Sequence, residues 1–139
     1  LIAAGGAVIL FGLALATELA TAGPLREANV AAMASHKRAE AIARELGKLG
    51  VTWSCNAKAN VPRETLKVLR DNGLRLLLVG YESGNQQILH NIKKGMRIEV
   101  AREFTKNCHE LGIKIHGTFI LGLPVETKET SEQTINFAK

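Results

Sequence analysis

Beyond residue 34 the apolar positions switch repeatedly between helical spacing and short unbroken runs. Ala39, Ile42, Ala43, Leu46 and Leu49 recur every three or four residues behind Ser35, a good N-cap, and predict a helix that Gly50 ends. Val51 to Cys55 follows as a strand, then the polar stretch Asn56 to Asn60. Pro62 suits the first turn of a second helix, whose stripe is Thr65, Leu66 and Leu69 and whose end is Gly73. Leu74 to Gly80 is nearly all apolar, as in a strand buried on both faces of a parallel sheet. A short helical stretch, Gln86 to Ile92, leads to Lys93-Lys94-Gly95. A longer helix carries Ile98, Ala101, Phe104, Cys108 and Leu111 on one face and stops at Gly112. Ile113 to Leu121 is a third strand, and Thr130 to Lys139 is helical again.

Three predicted helices thus end in glycine, at 50, 73 and 112, and each time an apolar run starts at the next residue. Glycine takes the left-handed conformation that closes a helix without steric cost. The repeating unit is helix, glycine, strand, loop, which predicts an α/β fold with parallel strands and outer helices. An open doubly wound sheet and part of a (β/α) barrel both fit. Neither G-x-G-x-x-G nor a P-loop occurs, which counts against dinucleotide and NTPase versions.

Residues 1–34 follow another pattern. Leu1 to Ala16 carries no charge and is rich in Ala, Gly and Leu, and Glu18 interrupts it. The run is short for a membrane span, which needs about 20 residues. A buried apolar segment, a membrane anchor through residues 1–16 and a sheet strand around Ala7 to Leu13 all remain open. The expected location is therefore cytoplasmic, with membrane association left open. The chain starts at Leu1 rather than Met and ends within a helical pattern, so a piece of a larger protein is expected.

Composition refines this only slightly. Among 139 residues, 18 Lys and Arg face 13 Asp and Glu, a net charge of +5, but the basic residues are interspersed with acids along helices. Without a basic block or interleaved aromatics, nucleic acid is not an expected partner. The two cysteines, Cys55 and Cys108, lie far apart and form no metal motif. Cys108 falls on an apolar helix face. Cys55, ending a strand run, is open to lining a site.

In parallel α/β folds ligands bind beyond the C-terminal ends of strands. Asn56 and Lys58 follow the first strand, Glu82, Ser83 and Gly84 the second, and Gly122, Glu126 and Thr127 the third. Glu82 either accepts hydrogen bonds from a ligand or caps the helix starting near Asn85. Lys94 either complements a helix C-terminus or faces an anionic group. His116 alternates with apolar residues inside a strand, which favours a core or helix-facing position over a catalytic one.

Thr52-Trp53-Ser54-Cys55, Gly80-Tyr81-Glu82-Ser83-Gly84 and Gly117 to Pro124 with Glu126-Thr127 resemble the second half of a radical S-adenosylmethionine (SAM) enzyme core. Within that superfamily, Lys37 to Lys139 is similar to the subgroup with an N-terminal cobalamin (B12)-binding domain, and to its hopanoid-biosynthesis-associated members. The resemblance implies a partial (β/α) barrel whose third, fourth and fifth strands are 51–55, 74–80 and 113–121, so residues 35–139 would be the C-terminal half of the core. It implies SAM as cofactor, with Glu82, Ser83 and Gly84 in the binding element. Lys94 would stand where the family often has arginine against the SAM carboxylate, and lysine keeps the charge without the bidentate fork. Asn56 and Lys58 would face SAM or substrate, and residues through Gly122 would flank the adenine. The parent enzyme would cleave SAM reductively at a [4Fe-4S] cluster and act on a small-molecule or lipid-like substrate, with cobalamin in a further domain.

Four departures bear on this expectation. The cluster motif C-x-x-x-C-x-x-C is not in this sequence, the acidic second-strand segment usual before the helix at 35–49 is missing, Val125 replaces a common glycine, and residues 1–34 do not match the pattern. The chain by itself is therefore expected to be catalytically incompetent. The competing expectations are an iron-free barrel lyase using Lys58 or Lys94, and a non-enzymatic membrane-associated fragment.

Overall fold

The structure is a computed structural model that describes residues 10–11 and 24–139. Its elements in order are β1 (Leu10–Phe11), α1 (Pro24–Lys48), β2 (Trp53–Ala57), α2 (Arg63–Asp71), β3 (Leu74–Glu82), α3 (Gln86–Asn91), α4 (Ile98–Glu110), β4 (Lys114–Phe119) and α5 (Lys128–Ala138). The four strands among the described residues are parallel, in the order β1-β2-β3-β4. Helices separate successive strands, so the α/β alternation predicted from the sequence is present. Apart from Leu10–Phe11, which joins the sheet edge as a strand, the readings of residues 1–16 fall outside the described residues. No described helix is long and apolar enough to cross a membrane.

The first helix starts at Pro24, not at Ser35. Pro24 has the fixed φ that suits a first turn, and no glycine or further proline interrupts the chain before Ser35. Ser35 is buried inside the helix instead of capping it. The three glycines behave as expected, with φ of +65° at Gly50, +100° at Gly73 and +67° at Gly112. Gly73 is also a close approach, since a Cβ there would collide with the Val51 carbonyl oxygen.

Register divides the sheet into two faces. Cys55, Leu77 and Ile115 form one cross-strand row. Cys55 and Leu77 are buried in the core with Ala43 of α1, Leu66 and Leu69 of α2, and Ala101, Phe104 and Cys108 of α4. Those α4 residues recur every three or four positions, so one helix face enters the core. The neighbouring row, Asn56, Leu78 and His116, points the other way, because side chains alternate along a strand. His116 and Asn56 are exposed and Leu78 half-buried on this open face. The core position expected for His116 is thus corrected: its neighbour Ile115 occupies the helix side.

The cysteines also resolve. Both are buried, and burial pushes the Cys55 thiol up to about 11 and the Cys108 thiol up to about 12. Cys55 packs with the helices and does not line the open face.

Candidate functional site

The site forms where β3 ends. A register shift between Gly80 and Glu82 makes Tyr81 an extra residue opposite β4. Tyr81 turns to the helix side, stacks on Phe119 at 5.5 Å and meets the edge of Phe137 at 5.6 Å. Its hydroxyl hydrogen-bonds Thr105 Oγ1 at 2.7 Å. Burial raises the Tyr81 pKa, and the Thr105 bond partly opposes that rise. With Tyr81 anchored on one side, Glu82 emerges on the other, at φ +65°. That left-handed conformation is costly for a residue with a side chain and persists only where its surroundings enforce it. Here the Glu82 carbonyl also accepts from Ile120 N–H at 2.8 Å, which ties the loop to the end of β4.

The Glu82 carboxylate lies back over Gly80. A Cβ at Gly80 would come within 2.5 Å of Glu82 Oε1 and 3.3 Å of Lys94 Nζ. Lys94 Nζ donates to that same Oε1 at 2.8 Å. The Lys94 and Glu82 side chains are 31% and 20% exposed, so this pair is shielded more than an ordinary surface pair. Gly80 was not legible as a site residue from spacing alone. The available signal was a glycine inside an apolar strand two residues before a carboxylate, hence on the same face.

The helix-capping role open to Glu82 belongs to another residue. Asn85, not Glu82, caps α3, its Oδ1 accepting from Ile88 N–H at 2.9 Å. Lys94 lies beyond α3 and spends its ammonium on Glu82. Ser83 and Gly84 serve the rear of the loop. Ser83 is fully buried, with Oγ 3.1 Å from Thr134 Oγ1, and Gly84 N–H donates to that Thr134 oxygen at 3.0 Å. A Cβ at Gly84 would meet Phe137 Cβ at 2.6 Å and α5 backbone atoms at 2.8 Å. The structure therefore gives Ser83 and Gly84 a fastening role against α5, where the sequence suggested ligand contact.

The other candidates disperse. β2 extends to Ala57, so Asn56 lies within the strand on the open face instead of past it. Lys58 is exposed just beyond. Gly122, at φ +89°, belongs to a separate exposed loop. There the Glu126 carboxylate accepts from the N–H groups of Gly122 and Leu123, while Thr127 and Thr130 form a capping box at the start of α5. Glu126 Oε2 and Thr127 are thus occupied within their own segment, while Glu126 Oε1 is buried without a hydrogen-bond partner.

Next to the Glu82–Lys94 pair is a cleft of about 570 Å³, lined by Lys58, Asn60, Gly80, Lys93, Lys94 and Arg97 with several apolar side chains. That is the size of a small-molecule site. Among the described residues no three His, Cys, Asp or Glu side chains are grouped to hold a metal.

Parallel strands with helices on one face, and a carboxylate–ammonium pair at a strand end, make up a partial (β/α) barrel fragment. Residues 24–138 match the radical SAM superfamily, and the chain belongs to it. It is 33% identical over 92 residues to an uncharacterized methyltransferase, PH0819, of Pyrococcus horikoshii, a stretch covering 66% of this chain and 20% of that protein. Over 95 residues it is 30% identical to the bacteriochlorophyllide d C-12(1)-methyltransferase of Chlorobaculum tepidum, covering 66% of this chain and 21% of the relative. The chain therefore spans about a fifth of the length of these relatives. Its fold matches that of the cobalamin-dependent S-adenosylmethionine radical enzyme OxsB with aqua-cobalamin and S-adenosylmethionine bound, at a TM-score of 0.63 and 19% identity, over 74% of this chain and 16% of that one.

Proposed function

We propose that this chain is the SAM-holding part of the barrel of a cobalamin-dependent radical SAM methyltransferase. The observation that carries this reading is the Glu82–Lys94 pair laid across Gly80. The amino-acid end of SAM has an ammonium and a carboxylate. Glu82 accepts hydrogen bonds from the ammonium, and Lys94 pairs with the carboxylate. In the free chain the two groups neutralise each other, which keeps both charges compensated until the ligand arrives. Gly80 leaves the space that Glu82 occupies. When bound, SAM supplies the reactive methyl or 5′-deoxyadenosyl group, and this chain's residues bind and orient it.

The [4Fe-4S] cluster does not fit the residues present. Cluster iron needs thiolates, whereas Cys55 and Cys108 are buried with their thiols pushed up to about 11 and 12. Its ligands, and any cobalamin domain, belong to protein outside these residues. The acceptor is a small or lipid-like molecule bound beside SAM. A hopanoid-type acceptor is supported only by the subgroup resemblance, since named relatives act on a bacteriochlorophyllide and a cytidylyl-2-hydroxyethylphosphonate. The barrel-lyase reading is weaker, because Lys94 is engaged with Glu82 and Lys58 is exposed, without the apolar enclosure that activates a nucleophilic lysine.

The test is calorimetric titration of SAM into the 139-residue chain, its Glu82→Gln variant and its Lys94→Gln variant. A charge-assisted hydrogen bond contributes about 1.5–3 kcal/mol, so each substitution weakens binding roughly 10- to 100-fold. Wild-type affinity in Glu82→Gln would sink the proposal.

A further inference from the structure

The charge of the cleft exceeds what SAM needs. Lys58, Lys93, Lys94 and Arg97 line it, and no Asp or Glu does. Glu82 compensates Lys94 alone. Arg97 has one acidic neighbour, Glu99, at 3.8 Å, and both of those side chains are more than 70% exposed, so that pair is screened and weak. Lys58 and Lys93 are in no described ion pair. Three cations therefore share one concave surface, which concentrates positive potential where a ligand would enter.

The backbone at Lys93 adds a second observation. Lys93 closes α3 at φ +53°, a position where glycine would incur no steric cost. Its amide donates to His90 O at 3.0 Å and the next amide, that of Lys94, to Leu89 O at 2.9 Å, so the conformation is fixed by the helix end. A lysine held in this strained form projects a cation at the cleft rim that glycine would forfeit. Besides Lys93, the non-glycine residues with positive φ in the described chain are Glu82 and Val125, and Glu82 belongs to this same site.

We infer that Lys58, Lys93 and Arg97 form a subsite for a multiply charged oxyanion, of phosphoryl type, on the molecule that reacts beside SAM. This rests on the SAM reading, in which Lys94 is already engaged by the SAM carboxylate. The apolar remainder of the lining, Ile92, Met96 and Val100, suits a carbon portion attached to that anion. The acceptor is then an anionic small molecule or an anionic lipid-like one, not a neutral hydrocarbon.

Pyrophosphate is the probe, titrated into the 139-residue chain at fixed ionic strength, with and without saturating SAM. Saturable binding is expected whether SAM is present or not. Lys58→Ala, Arg97→Ala and Lys93→Gly each weaken it about fivefold or more, and SAM affinity stays within about twofold in Arg97→Ala and Lys93→Gly. Strict competition between pyrophosphate and SAM would overturn the inference, because the cations would then be part of the SAM site. So would pyrophosphate binding that none of the three substitutions weakens. The parent reading fails separately: Glu82→Gln that keeps SAM affinity removes the SAM assignment whatever pyrophosphate does.

Discussion

Replacing Gly80 by alanine adds one methyl group at the point where strand and site meet. The new Cβ would stand 2.5 Å from Glu82 Oε1 and 3.3 Å from Lys94 Nζ. The carboxylate oxygen must retreat by about 0.5 Å or more before that contact is tolerable. The retreat stretches or breaks its 2.8 Å bond to Lys94 and moves the acceptor proposed for the SAM ammonium. Both obstructing atoms are ends of flexible side chains, so the fold itself yields at little cost. Loss of a half-buried ion pair removes up to about 1 kcal/mol, while alanine in place of a strand glycine returns about 0.5–1 kcal/mol. Net stability therefore changes by less than about 1 kcal/mol, or under about 5 °C in Tm. Binding of SAM falls about 10- to 100-fold, the value of one charge-assisted hydrogen bond. Thermal unfolding and SAM calorimetry on the same preparation separate the two effects. Unchanged SAM affinity at unchanged Tm would show that the carboxylate position over Gly80 is irrelevant to the ligand.

Gly84→Ala has the opposite profile: its Cβ meets α5 backbone at 2.8 Å, so urea unfolding is expected to show a loss of about 1–3 kcal/mol. Thr134→Val removes the partner of the buried Ser83 hydroxyl and of the Gly84 amide, and costs about 1–3 kcal/mol in the same assay. The folded state raises both thiol pKa values from 9.0, to about 11 for Cys55 and about 12 for Cys108. Stability linked to these protonated thiols is fully present below pH 9 and declines as pH rises through 9 towards 11–12, by up to about 1.4 kcal/mol per pH unit for each thiol, and a flat urea midpoint from pH 9 to 10.5 would contradict this. Native-state alkylation at about pH 7.5 should leave both cysteines unmodified, as mass spectrometry can establish.

Much of the fold was legible because glycine and apolar spacing carry local physics. The helix ends at 50, 73 and 112 are steric consequences of one residue type, and the strand at Leu74 announces itself by an almost unbroken apolar run. The start of the first helix was not legible, because Ser35 is a good cap by composition and only tertiary burial shows that it sits mid-helix. The face occupied by His116 was hidden for a similar reason. An alternating strand pattern does not say which side the helices take, and register against Leu78 decides it. At the site, Glu82 and Lys94 are 12 residues apart and each stands out separately, yet nothing local indicates that they bond to each other. Ser83 and Gly84 sit beside Glu82 in the chain, but their partners are about 50 residues away in α5, beyond the reach of any short motif.

That distant fastening sets an order of events during synthesis. The loop carrying Glu82 leaves the ribosome well before Thr134 and Phe137, the residues that clasp it from behind. Until α5 has emerged, Ser83 lacks its buried hydroxyl partner and Gly84 faces no helix. The Glu82-bearing end of β3 therefore matures only after α5 has emerged, although its strand is made about 50 residues earlier. A nascent chain halted before residue 128 would carry every charged group of the cleft and still lack the clamp that sets their geometry.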